Sequence, residues 1–298
     1  MLKVDGVFAG GGIKAFSFVG ALRIMERENM SFERLAGTSA GSIIAAFITA
    51  GFNSEEIEKL FEEFDVSSLL DSSNENFFFR FYRWIRLYRK MGIYEGEILE
   101  QWLEEILKQK GVSTFADILP GSLKMVASDL TNGQILILPD DLPKYGLNPN
   151  TFSIARAIRM SSSLPFFFEP VKLTNKNTGR ESLIVDGGVL SNFPIWLFTD
   201  KDMTKIKRPV LGFRLSPSRD TIEPKEVTNA FAMLHSMIDT MRTAHDQRYI
   251  SKSHSKNIIF IPAQHISTTQ FSIKGDQKLE LIKLGEESTA NFLKKWSY

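Results

Sequence analysis

The chain has 298 residues, 43% of them hydrophobic and 24% charged, an ordinary globular composition that excludes a disordered or collagen-like polymer. A formal net charge of +1 provides no global positive field for nucleic acid, and the lack of cysteine excludes disulfides, thiolate metal sites and a cysteine nucleophile. The length permits one sizeable core, and without an internal repeat, low-complexity tract or long Gly/Ser linker the expectation is a single domain over residues 1–298.

The first residues, "MLKVDGVFAGGG", carry no basic leader followed by an apolar stretch and a cleavage site, so no secretory signal is expected and a cytoplasmic location is. Residues 3–9 alternate apolar with polar or small side chains, which predicts a strand running into a glycine turn. "KAFSFVGALRIMEREN" then reads as a helix. "FERLAG" is a second extended segment, and it meets "TSAGSIIAAFITAG", whose apolar density predicts a buried helix ending near Gly51. The nearly apolar "SIIAAFITAGF" falls well short of the roughly 20 residues of a membrane span.

"NSEEIEKLFEEF" predicts a helix capped by Asn53 or Ser54, and "EGEILEQWLEEILKQ", residues 95–109, predicts an amphipathic one. The runs "LKMVASDL", "QILILPD", "SLIVDGG", "PVLGFRL" and "NIIFIPA" have strand length and turn residues at their ends. Helical patterns at 151–160, 224–250 and 276–296 fall between or after them, whereas "LTNKNTGRES" and "SPSRDTIEPKE" are expected to be irregular. Strands interleaved with helices predict a layered α/β domain.

Ser39 lies in Gly37-Thr38-Ser39-Ala40-Gly41, a G-x-S-x-G pattern between an extended segment and an apolar helix. That context suits a nucleophile elbow, in which the serine occupies a strained turn and the glycines avoid clashes. The bland reading is a tight connection with Ser39 or Thr38 as N-cap. A serine nucleophile needs donors for a developing oxyanion, and Gly10, Gly11, Gly12 and Ile13 offer backbone N–H groups with little side chain in the way. Lys14 is placed to orient that loop or to attract an anionic head group. The competing reading is a dinucleotide-binding oxidoreductase, because Gly10, Gly12 and Ala15 satisfy G-x-G-x-x-[GA]; Glu33 is near the spacing of the acidic residue that this fingerprint wants, but it starts the second extended segment, whose end is the G-x-S-x-G turn.

The serine also needs a base. Asp186 ends an apolar run and is followed by Gly187 and Gly188, so a turn could present its carboxylate at the sheet edge; an ordinary Asp-Gly turn is the alternative. The order Ser39, Asp186, then His235, His245, His254 or His265 is compatible with a triad, and spacing does not choose among the histidines.

Together "GGGIKA", "GTSAGS" and "DGG" resemble the patatin-like phospholipase family, in family order and over roughly the first two hundred residues. The resemblance implies a three-layer α/β/α fold around a mainly parallel or mixed sheet, Ser39 as nucleophile, Asp186 as the base of a Ser-Asp dyad, Gly10–Gly12 with Ile13 as the oxyanion loop, and no metal or organic cofactor. It implies a lipid acyl ester as substrate. "MSSSLPFFFEP", residues 160–170, looks like the family's serine-rich segment and is expected to border the site. The chain departs from the commonest family pattern at Ala9 and Ala15, and its last third matches only loosely. A catalytically silent lipid-binding protein is the other alternative.

"NFFFRFYRWIRLYRKMG", residues 76–92, is the least ordinary stretch. On a helix Phe77, Phe81, Trp84, Ile85 and Tyr88 share a face, with Arg80, Arg83, Arg86, Arg89 and Lys90 around the other. Such a helix suits peripheral contact with an anionic membrane surface, a lid, or aromatic packing on the domain. No recognised nucleic-acid-binding module surrounds it, and no nucleic-acid partner is expected.

Overall fold

The computed structural model describes residues 2–63, 87, 89–198, 208–215, 255–263 and 275–297, together with 227, 228, 233, 236, 237, 240, 241 and 244–246. The stretch 76–92 lies outside the described residues except for 87 and 89–92, as do His235, His254, His265 and the segment 216–226.

Two strand-turn-helix units open the chain: β1 (Leu2–Phe8) and α1 (Phe16–Arg27), then β2 (Met30–Thr38) and α2 (Ala40–Thr49). The glycines between β1 and α1 lead into a short 3-10 turn, Gly12–Ala15. α3 (Ser54–Glu63) begins at a capping box, in which Asn53 Oδ1 accepts the Glu56 N–H and Glu56 Oε2 accepts the Asn53 N–H, both at 2.9 Å. Of the two residues expected to cap this helix, Asn53 therefore does so. β3 (Gly92–Tyr94), α4 (Glu97–Gln109), β4 (Leu123–Asp129), β5 (Gln134–Leu138) and α5 (Ile154–Ser161) follow. Then come β6 (Phe166–Phe168), β7 (Val171–Thr174), β8 (Glu181–Asp186), β9 (Val210–Arg214), β10 (Ile258–Phe260) and α6 (Gly275–Leu293). β3, β6 and β7 were not anticipated. Each has only three or four residues, too few for a period-2 pattern to emerge, and β7 runs into the segment expected to be irregular.

Eight strands form one mixed sheet in the order β10-β9-β1-β2-β4-β8-β7, with β5 paired to β4. The run from β10 to β4 is parallel, while β5 and β8 lie antiparallel to β4. Both faces are covered. Phe8 on β1 enters the main core beneath the helices, stacking on Phe213 at 4.6 Å, whereas Val7 and Ala9 join a second cluster with Phe193, Ile195 and Phe198. This alternation along one strand is the layered α/β arrangement that the sequence predicts.

α1 and α6 cross at backbone contact. A Cβ on Gly20 would lie 1.9 Å from Ile282 O, and one on Gly285 would lie 1.8 Å from Ser17 O. Gly285→Ala is therefore expected to push the helices apart and to cost about 1–3 kcal/mol. Urea unfolding measures it, and unchanged stability would contradict the close crossing.

Candidate active site

Ser39 links β2 to α2 with φ 54° and ψ −129°, a left-handed conformation that costs a non-glycine residue on the order of 1–3 kcal/mol. The flanking glycines make the turn possible. A Cβ on Gly37 would lie 2.3 Å from Gly41 O, and one on Gly41 would lie 2.3 Å from Phe8 O. The strained amides are held at both ends: Ser39 N–H donates to Ser161 Oγ at 3.0 Å, and Ser39 C=O accepts from Ser42 N–H at 2.8 Å and Ser42 Oγ at 2.6 Å. Ser39 itself is half-buried at the start of α2.

The strand pairing brings Asp186 to the same point. β5 pairs along residues 125–129 of β4, which leaves the opposite edge of β4 to two strands. β2 occupies residues 123–126 of that edge and β8 occupies 127–129. Because β2 is parallel to β4 and β8 antiparallel, they run toward each other and end on successive residues, Thr38 opposite Val126 and Asp186 opposite Ala127. Gly187 fits the junction, where a Cβ would lie 2.1 Å from Val126 O and 3.0 Å from Thr38 Cγ2. Asp186 is buried; its N–H donates to Ser163 O at 2.9 Å, and its Oδ1 accepts the Gly188 N–H at 2.7 Å.

The glycine loop lies against Ser39 and is tied to Asn192, beyond the turn after β8. Gly10 N–H donates to Asn192 O at 3.0 Å and Gly10 O accepts from Asn192 Nδ2 at 3.1 Å, while a Cβ on Gly10 would lie 3.1 Å from Ser39 Cβ. Gly12 has φ 55°. The N–H groups of Gly11, Gly12 and Ile13 have no acceptor among the described residues, and all three residues are partly exposed. Lys14 is buried, with its carbonyl accepting from Ser17 Oγ at 2.8 Å, so its backbone helps start the helix.

Four supporting residues escaped the reading of the sequence. Asn192, six residues beyond Asp186, ties the glycine loop to the turn after β8. Ser161 and Ser163 reach Ser39 and Asp186, and Arg159 holds the segment that carries them. Arg159 is 3% exposed; Nε donates to Gly96 O at 3.0 Å, Nη2 to Glu95 O at 2.5 Å and to Glu169 O at 2.9 Å, and Nη1 to Ser163 Oγ. Burial pushes its pKa down to about 10, which still leaves it cationic at neutral pH. The serine run in residues 160–170 was the only visible signal for this group. Of the four candidate histidines, His245 alone is among the described residues; it lies 3.8 Å from Asp246, whose Oδ1 accepts the Phe193 N–H at 3.3 Å.

A strained serine, a buried aspartate and an open set of backbone donors thus converge where two strands end on one edge. The patatin-like phospholipase family model matches residues 6–199. The chain belongs to this family. It is 46% identical over 297 residues to the uncharacterized protein YqhO of Bacillus subtilis (strain 168), covering 100% of both chains. It is 29% identical over 207 residues to a cUMP-AMP-activated phospholipase of Escherichia coli, covering 65% of this chain and 57% of that one. The crystal structure of VipD from Legionella pneumophila superimposes with a TM-score of 0.55 at 18% identity over 98% of this chain and 67% of that one, a likeness of fold. The patatin-like fold expected from the three motifs is therefore present.

In this patatin-like domain the forked Arg159 is not replaceable by an ammonium, which cannot serve three carbonyls in one plane. Arg159→Lys is expected to lower stability by about 2 kcal/mol or more in urea unfolding. Stability equal to the wild type would show that the fork is dispensable.

Proposed function

We propose that the protein is a serine lipid acyl hydrolase that works through a Ser39–Asp186 dyad and an acyl-enzyme. The observation that carries this reading is the meeting of β2 and β8 on successive residues of β4, which brings the left-handed Ser39 and the buried Asp186 to one junction. Family membership supports an acyl ester of a lipid as the substrate class.

In this mechanism Ser39 Oγ attacks the acyl carbonyl while Asp186 takes its proton, and the carbonyl electron pair moves onto oxygen. The N–H groups of Gly11, Gly12 and Ile13 are the donors for that oxyanion; the N–H of Gly10 is already given to Asn192, so Gly10 contributes close approach to Ser39. The tetrahedral species collapses, the alcohol or lysolipid leaves with the proton from Asp186, and water repeats the sequence on the acyl-enzyme to release the acid. The Gly188 N–H on Asp186 Oδ1 fixes the rotation of the carboxylate. An alcohol in place of water would make the same chemistry a transacylation.

Hydrolysis of p-nitrophenyl esters of increasing acyl length tests the assignment. Ser39→Ala and Asp186→Asn are each expected to lower kcat by about a thousandfold or more, whereas His245→Ala stays within about threefold of the wild type. Wild-type turnover by folded Ser39→Ala would remove the nucleophile. A collapse in folded His245→Ala would replace the dyad with a triad.

We also assign peripheral contact with anionic lipid to the basic aromatic stretch 76–92, on its sequence alone. Replacing Arg83 and Arg86 by Gln is expected to weaken sedimentation with phosphatidylserine vesicles more than it lowers hydrolysis of a soluble ester. Unchanged vesicle binding would dismiss that contact.

A further inference from the structure

The parallel ladder between β2 and β4 has a regular beat. Leu35 N–H donates to Ser122 O at 2.7 Å, so with the register Leu35↔Leu123 through Thr38↔Val126 every second β2 residue turns its N–H toward β4. The next N–H groups in that series belong to Gly37 and Ser39, and the acceptor due to Ser39 is the carbonyl of Val126. That direct bond is replaced. Ser161 Oγ stands between the two groups, accepting from Ser39 N–H at 3.0 Å and donating to Val126 O at 2.7 Å. A single side-chain hydroxyl, fully buried at the end of α5, is thus inserted as one link of the sheet.

The insertion has a geometric purpose. A direct Ser39–Val126 bond would keep Ser39 in the strand, with its side chain alternating like its neighbours; a link longer by one oxygen lets the chain leave β4 at Ser39 while its N–H stays satisfied. The same link fills the junction where β2 ends and β8 begins, next to Gly187. Two residues on, Ser163 O accepts the Asp186 N–H at 2.9 Å, and Arg159 anchors the segment through Glu95, Gly96 and Glu169. Nucleophile and base are therefore referenced to one five-residue piece of chain.

We propose that Ser161 is a positioning residue for Ser39: its hydroxyl, relaying Ser39 N–H to Val126 C=O, sets the turn from which the nucleophile reacts. The inference rests on the assignment of Ser39 as nucleophile. Without the hydroxyl, Ser39 N–H and Val126 C=O are both left without their buried partner, and the elbow relaxes toward strand or helix geometry. The chemical step suffers more than binding, because a small displacement of an attacking atom is costly even where the substrate is still held.

The test compares Ser161→Ala, Ser161→Cys and Ser161→Thr in the full chain. Cys keeps nearly the size of Ser but is a poor acceptor and a weak donor, while Thr retains the hydroxyl. Ser162→Ala serves as the neighbour control, since the Ser162 hydroxyl has no partner among the described residues. Reactive sites are counted by stoichiometric labelling with a fluorophosphonate, so that unfolded protein does not enter kcat.

Ser161→Ala and Ser161→Cys are expected to lower kcat per reactive site about tenfold to a hundredfold, with KM within about twofold, and Ser161→Thr to recover most of the loss. Ser162→Ala keeps the wild-type kcat. Should Ser161→Ala fail to fold, the Cys and Thr pair decides. A kcat per reactive site within about twofold of wild type in Ser161→Cys, or an equal loss in Ser161→Cys and Ser161→Thr, overturns the positioning role while leaving the nucleophile in place. Ser39→Ala is run alongside. If it is labelled or turns over like the wild type, or if the wild type is neither labelled nor active, the assignment of Ser39 fails and this inference fails with it.

Discussion

One edge of β4 is shared by two strands that approach it from opposite directions, and the candidate site depends on this arrangement. A strand edge offers a fixed series of carbonyl and amide groups. Once β5 has taken one side, the other must accommodate both β2 and β8, and neither can pass the other. Their ends are forced together. Thr38 and Asp186 face consecutive β4 residues, and whatever follows them, Ser39 on one side and Gly187-Gly188 on the other, must turn away from the sheet at once. Two turns at one place bring residues from each strand end side by side.

The sharpness of those turns explains the distribution of small residues. Gly37 and Gly41 allow the elbow to fold onto itself and against β1, Gly187 allows the second turn to lie on Val126, and Gly10 lets the first glycine loop reach Ser39. Asn192 then closes the ring between the loop and the second turn. The glycine loop thus serves two ends at once: Gly10 is spent on attachment, and the N–H groups of the partly exposed residues beyond it have no acceptor among the described residues. Such donors are tolerated where solvent or a ligand reaches them, which is the condition an acyl oxygen would exploit.

The segment from Arg159 to Ser163 is the third support. A buried guanidinium is costly to desolvate, and here its donors are met by three backbone carbonyls and one hydroxyl. Those bonds fix the end of α5 against the start of α4 and against the end of β6, so the serine hydroxyls there have defined positions. The parts of the candidate site are close in space but far apart in the chain, spanning residues 10 to 192.

Much of this was legible in the residues. The strand, glycine turn and helix pattern twice over, the G-x-S-x-G pattern and the Asp-Gly-Gly after an apolar run identified the fold class, the family and the residues that converge, because glycine placement and apolar periodicity are local consequences of backbone sterics. What stayed hidden were relations between distant segments. Nothing local in "MSSSLP" says that the hydroxyl of Ser161 interrupts a ladder 35 residues away at Val126, or that Arg159 reaches Gly96. Nothing in "GGG" distinguishes the amide given to Asn192 from the ones left open. Sequence by itself determined where the glycines flank the turns, since a Cβ at Gly37, Gly41 or Gly187 would meet backbone. Tertiary structure alone decided which hydrogen-bonding groups are consumed and which remain available, because that depends on how strands from separate parts of the chain divide one edge of the sheet.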